Sequence, residues 1–157
     1  MASFDDLSEC PYFQDMNLPP LIAVGWIERG RRYRSGDAGS AVRRRLKEFR
    51  EARWHLTAYL GGHYCDLCTE RDESLRWSVD EAYSKTDLFI PGEGVVYAAP
   101  EGIYHYVTKH AYHPPDVFCE ALLTAPAADS LGYFEALRKH GFPRRWLGVR
   151  RADPTPK

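Results

Sequence analysis

Read by the spacing of its apolar positions, the chain breaks into short elements separated by turn-rich stretches. Residues 21–27 form a compact apolar run containing Val24, Trp26 and Ile27, the pattern of a buried strand or a packed loop. Val42, Leu46, Phe49 and Arg53 recur at steps of four, three and four. That spacing predicts an amphipathic helix, capped by Asp37 or Ser40 and running to about Ala52, with arginines on every side but the apolar stripe. Residues 56–60 read as a strand entering Gly61-Gly62. Leu88-Phe89-Ile90-Pro91, the turn Gly92-Glu93-Gly94 and the run Val95 to Ala99 spell a β-hairpin.

Three further helices follow the hairpin. Pro100 followed by Glu101 predicts a helix start, because proline is tolerated at the first helical position and a carboxylate favours the positive end of the dipole; this helix ends around His110, before Pro114-Pro115. The next runs from about Asp116 to Leu123 with Val117, Ala121 and Leu122 inward, and the last from Asp129 or Ser130 to His140, closed by Gly141 as C-cap. Residues 1–20 look irregular, interrupted by Pro11, Pro19 and Pro20, with Phe4, Tyr12 and Phe13 available as anchors. Residues 29–39 are turn-rich, and residues 69–85 are a polar excursion with Trp77 and Tyr83 as isolated anchors. The expected architecture is α+β: one domain over residues 1–149 and a flexible tail over 150–157. Its small antiparallel sheet carries a zinc-finger-like Cys/His site and is packed by several helices.

At 157 residues, 44% of them hydrophobic, the chain can bury one core and has no room for a second full domain. It has no run of 18 or more apolar residues, and residues 1–6 are acidic rather than a basic lead into an apolar stretch. Neither a membrane span nor a signal peptide is therefore expected, and the reading is cytoplasmic. In a reducing compartment a Cys-x-x-Cys pair points to a metal or redox motif rather than a bridge, which leaves Cys10 and Cys119 as free thiols.

The candidate chemistry sits in two short segments. Cys65 and Cys68 lie in Gly61-Gly62-His63-Tyr64-Cys65-Asp66-Leu67-Cys68, and His105 and His110 in Tyr104-His105-Tyr106-Val107-Thr108-Lys109-His110. Two thiolates on one knuckle and two imidazoles near one helix end make a tetrahedral donor set for zinc. Residues five apart on an ideal helix are 140° out of phase, since each advances 100°. His105 and His110 can meet one ion only if the helix tightens or ends between them, and here an end is expected. His63 and His113 are the substitute ligands, and Tyr104, Tyr106 and Tyr112 could supply hydrogen bonds around the site. A thioredoxin-like use of the cysteines is disfavoured because the motif does not join a strand to a helix. A zinc-dependent hydrolase would need an open coordination position and a carboxylate base such as Asp66 or Glu101.

Net charge is only −1, but it is unevenly placed. Between Glu28 and Arg53 ten basic residues (Arg29, Arg31, Arg32, Arg34, Arg43, Arg44, Arg45, Lys47, Arg50 and Arg53) face four acidic ones. Either these cations pair with the acidic remainder of the chain, or they form a nucleic-acid surface in which Arg43, Arg44, Arg45, Lys47, Arg50 and Arg53 touch phosphates.

The segments Val24-Gly25-Trp26-Ile27-Glu28-Arg29-Gly30, the cysteine knuckle, Leu88-Phe89-Ile90-Pro91-Gly92 and His105-Tyr106-Val107-Thr108-Lys109-His110-Ala111-Tyr112-His113-Pro114-Pro115 together resemble a family of short bacterial proteins carried as a domain of unknown function. The resemblance covers about residues 4–141 and implies a small stand-alone cytosolic protein, with no activity attached. The expected class is a zinc-stabilised binding or adaptor protein acting through a protein partner, in a toxin-neutralising or defence-associated role. The nucleic-acid-binding zinc protein and the zinc-dependent hydrolase are the alternatives.

Overall fold

The computed structural model describes residues 2–57, 62–68 and 83–147. At its centre is a three-stranded sheet in the order β1 (Leu21–Ala23), β5 (Val96–Pro100), β4 (Asp87–Pro91). The expected hairpin forms β4 and β5, paired antiparallel with Phe89 opposite Ala98 and Ile90 opposite Tyr97. Its turn is closed by Gly92 N donating to Val95 O at 2.8 Å. Gly94 sits there at φ +70°, a left-handed conformation that a side chain would strain. The sheet is not purely antiparallel, because β1 pairs with β5 in parallel. Only a long crossover allows that, and the chain between β1 and β5 supplies it.

Every residue of β4 and β5 is buried, so both faces of the hairpin are covered. Opposed residues in an antiparallel pair share a face. On one face Phe89 meets Phe13 and Phe142, with ring centroids 5.3 Å and 5.6 Å away. On the other, Tyr97 packs edge-on against Phe118 at 5.7 Å. Trp26 follows β1, is fully buried, and donates Nε1–H to Ala98 O at 2.8 Å. The residues after Ala23 are thus a packed loop, whereas residues 21–23 are strand. The sheet edges are closed from within the chain. Cys10 N donates to Leu21 O and Ala23 N to Ser8 O, both at 2.8 Å, and the Tyr133 hydroxyl donates to Phe89 O at 2.7 Å. Edges blocked this way offer no template for another strand.

Four α-helices are described: α1 (Ser40–Arg50), α2 (Ile103–Lys109), α3 (Asp116–Thr124) and α4 (Leu131–Lys139). In α1 the stripe Val42, Leu46, Phe49 is buried as its spacing requires, while Arg53 lies beyond the helix and is exposed. Ser40 is the first helical residue, not a cap. Asp37 Oδ1 instead accepts from Gly39 N at 2.8 Å, setting the turn before the helix. On α3 the buried face is Phe118, Ala121 and Leu122, and Val117 is 49% exposed. The aromatic ring at 118 takes the position expected of the valine because it can reach Tyr97 across the gap.

Pro100 does not open α2 but ends β5, and Glu101 N donates to Thr86 O at 3.0 Å. The Glu101 carboxylate accepts from Lys85 N at 2.8 Å and Thr86 N at 3.2 Å, so the two residues expected to start the helix finish the sheet instead. Leu56 and Thr57 are not in a strand. Thr57 docks by its hydroxyl, donating to Asp87 Oδ2 at 2.8 Å and accepting from Asp87 N at 3.1 Å. Positions 58–60 of that expected strand, positions 69–82 of the polar excursion and the tail at 150–157 lie outside the described residues.

The irregular N-terminal segment contains a 3-10 turn at Pro11–Met16, and Phe4 stacks edge-on against Trp26 at 5.4 Å, as its anchoring role requires. Buried apolar residues from Cys10 to Phe142 form one cluster. Among the described residues no helix is long and apolar enough to cross a membrane.

α4 carries a side-chain cap, with Ser130 Oγ accepting from Tyr133 N at 3.1 Å. Ser130→Ala should therefore lower stability by about 1 kcal/mol, read as a shift in urea midpoint without a change in slope. Ser130→Asp should retain most of it.

Candidate metal centre

The cysteine knuckle lies between β2 (His63–Tyr64) and the segment that returns as β3 (Tyr83–Ser84). β2 and β3 form a two-residue antiparallel ladder with Tyr64 opposite Tyr83, and their rings lie 4.6 Å apart. Gly62 is required at the entry. It donates its N–H to the Tyr83 hydroxyl at 2.7 Å, and a Cβ there would come within 2.1 Å of the same ring. Arg29 clamps the knuckle from outside, donating Nε–H to Asp66 O at 2.8 Å and Nη2–H to Cys68 O at 3.3 Å.

Cys65, Cys68, His105 and His110 converge, with one ligand atom from each lying within 4.8 Å of every other. Cys65 Sγ is 3.3 Å from His110 Nε2, and Cys68 Sγ is 3.2 Å from His105 Nε2 and 3.4 Å from His110 Nε2. The two Nε2 atoms are 3.1 Å apart. A regular tetrahedron with Zn–S of about 2.3 Å and Zn–N of about 2.05 Å has S–N edges of about 3.6 Å and an N–N edge of about 3.3 Å. The observed edges are shorter by a few tenths of an ångström, so the four atoms surround a common centre. The cluster could hold a metal ion.

The phase problem between His105 and His110 is solved by the helix end. His105 lies inside α2 and is 5% exposed, whereas His110 is the C-cap at φ −117°, ψ 13°, outside helical geometry. Leaving the helix swings the second imidazole back toward the first. Burial, reinforced by the neighbouring His110 and by Arg50, pushes the His105 pKa down to about 4, and burial also lowers His110. Both rings are therefore held neutral at pH 7, the form that binds a metal. Burial pushes the Cys65 thiol up to about 11 in the absence of a cation. His105 Nδ1 is buried with no hydrogen-bond partner among the described residues.

The substitute ligands stay outside the cluster: His63 Nε2 lies 3.6 Å from Asp66 Oδ1, and His113 Nδ1 lies 2.8 Å from Pro114 O. Tyr112 does not support the site, because its hydroxyl donates to the Asp6 carboxylate at 2.8–2.9 Å. The Tyr104 ring receives the Arg50 guanidinium. Cys10 and Cys119 are free thiols away from the four ligands.

Most of the cationic stretch is tied to the protein itself. Arg43 pairs with Asp37, Arg45 with Glu48, Lys47 with Glu51, and Arg50 with Glu101 at 3.4 Å, the last pair only 11% and 16% exposed. Arg31 pairs with Asp5 and Glu28, and Arg34 with Asp116. Arg45 also donates to Leu122 O, Ala125 O and Pro126 O, where α3 ends. Of the six residues in the nucleic-acid alternative, Arg44 and Arg53 are exposed and make no side-chain ion pair among the described residues. The clamp by Arg29 and the cap by Arg45 were not foreseeable from spacing, since both bind backbone carbonyls remote in sequence.

No curated protein and no solved structure matches the chain. The family described as Domain of unknown function (DUF7919) matches residues 2–123, a span that contains the sheet, all four candidate ligands, Arg29, α1, α2 and all but the last residue of α3, and leaves α4 outside. Since the match extends over more than half the sequence, the chain belongs to that family.

Proposed function

We propose that Cys65, Cys68, His105 and His110 hold one structural zinc ion that fastens the 62–68 knuckle to α2, and that the chain works as a binding or adaptor protein rather than as an enzyme. The observation that carries this reading is the convergence of four protein donors on one centre. Two thiolates and two imidazoles suit zinc better than the oxygen-seeking divalent cations, and four of them complete its tetrahedron with no position for a water.

Against the hydrolase alternative stands the engagement of Glu101 by Arg50, Lys85 N and Thr86 N, while Asp66 lies 3.6 Å from His63 Nε2. A protein partner is favoured over nucleic acid because ion pairs and carbonyl contacts already occupy four of the six cations that the polyanion would need.

Elemental analysis of the purified chain should give one zinc per molecule. Because the thiolate is the ligand form, loading the metal-free protein at pH 7 should release about two protons per zinc, measured in weakly buffered indicator dye. Cobalt substitution should give the intense visible absorption of a tetrahedral sulfur-nitrogen site, unchanged by added azide. An azide-sensitive spectrum would reveal an open position and restore the hydrolase reading; a folded preparation with no metal that takes up none would remove the zinc reading.

A further inference from the structure

The four donors differ in their access to solvent. Cys65 and His105 are buried at 8% and 5% exposure, whereas Cys68 and His110 are half-buried. The Cys68 Sγ to His110 Nε2 edge, 3.4 Å long, is therefore formed by the two less buried members of the cluster. Cys65 Sγ is within 4.8 Å of Cys68 Sγ, and the two cysteines are three residues apart on one turn, so each is the other's neighbour for a disulfide. The other two thiols are placed differently. Cys10 lies beside β1, its N–H bonded to Leu21 O, and is buried at 6% exposure; Cys119 Sγ lies 3.6 Å from Pro114 O, with neither beside a second cysteine of the cluster.

We propose that Cys68 is an oxidation site at which a hydroperoxide opens the metal centre, an inference that rests on the zinc reading above. The Cys68 thiolate attacks one peroxide oxygen; the O–O bond breaks, Cys68 becomes a sulfenic acid, and the second oxygen leaves as alkoxide or hydroxide. The Cys65 thiolate then attacks the Cys68 sulfur, the S–O bond breaks, hydroxide leaves, and a Cys65–Cys68 disulfide forms. Two electrons pass from the two thiolates to the peroxide, and the zinc is left with two imidazoles in place of four donors. It dissociates, and the knuckle is no longer fastened to α2. The knuckle keeps its place through Arg29, which holds Asp66 O and Cys68 O, and through the β2–β3 ladder. Those contacts do not involve sulfur, so reduction can rebuild the site.

The test uses the full chain, with its zinc content measured first so that a metal-free preparation overturns the zinc reading and this proposal together, while a loaded one tests oxidation alone. Hydrogen peroxide is added in modest excess with a chromogenic zinc indicator present, and thiols are mapped by differential alkylation and mass spectrometry. The expected result is release of one zinc per chain in step with the loss of two thiols, assigned to a Cys65–Cys68 disulfide, and recovery of the zinc after dithiothreitol and added metal. Dimedone present during oxidation should label Cys68 and leave Cys65 unlabelled. The Cys10→Ser/Cys119→Ser variant, which leaves the cluster intact, should release zinc at the wild-type rate. Retention of zinc while only Cys10 or Cys119 is oxidised would overturn the proposal, as would dimedone on Cys65 or zinc release with no intrachain disulfide.

Discussion

Cys65→Ala is expected to lower the melting temperature by about 10 °C and to make the protein indifferent to chelators. A structural zinc site contributes apparent stability on the order of 10 kcal/mol in peptides that have no other core. Here the buried cluster from Cys10 to Phe142 supplies a core of its own, so only part of that appears as a loss. About 4 kcal/mol, at roughly 2–4 °C per kcal/mol for a chain of this size, gives the expected shift. Without a metal the same substitution removes one small buried side chain and costs about 1 kcal/mol. The two accounts therefore differ several-fold, and the chelator separates them further. Wild-type protein treated with chelator should fall to the melting temperature of the variant, and the variant should not move. His110→Ala should behave like Cys65→Ala, whereas His113→Ala, outside the cluster, should leave chelator sensitivity intact. If chelation leaves the wild-type curve unchanged, the four residues are only a hydrogen-bonded cluster.

Why the convergence of Cys65, Cys68, His105 and His110 could be read from the chain while much around it could not is a matter of range. Cys65 with Cys68, and His105 with His110, are each fixed by local spacing, and a helix end before Pro114-Pro115 was enough to argue that residues five apart would converge. The hairpin, the stripe on α1 and the Gly141 stop of α4, at φ +101°, are local in the same sense. β1 joins the sheet in parallel because of where a distant strand lies, and nothing in residues 21–23 records that choice. Val117 was placed inward by periodicity, but the phase of a nine-residue helix is decided by which side chain finds a partner, and Phe118 finds Tyr97. Pro100 and Glu101 carry a good helix-start signal that loses to long-range bonds from Arg50, Lys85 and Thr86. The arginines are the clearest case: their clustering in sequence suggested a surface for phosphates, and their partners, up to 82 residues away, tie most of them into ion pairs within the chain.

Arg45 puts that last point to a quantitative test. It follows Arg44 in sequence and would share its role on any phosphate-binding face, yet the two sit in different environments. Arg44 is exposed with no side-chain partner among the described residues. The Arg45 guanidinium lies 5.1 Å over the Phe49 ring, pairs with Glu48, and donates to Leu122 O at 3.1 Å, Ala125 O at 2.7 Å and Pro126 O at 3.2 Å. It therefore supplies from α1 the donors that the last carbonyls of α3 lack within their own helix. Hydrogen bonds from a charged donor are each worth about 1.5–3 kcal/mol, and truncation also leaves the carbonyls short of partners. Arg45→Ala should destabilise the protein by about 3 kcal/mol, read from urea unfolding. Arg45→Lys should recover less than half of that, because a single ammonium cannot reproduce the planar fork over several carbonyls. Arg44→Ala should stay within about 0.5 kcal/mol of wild type. Equal and small effects at both positions would return Arg45 to the surface and reopen the nucleic-acid alternative for the whole face.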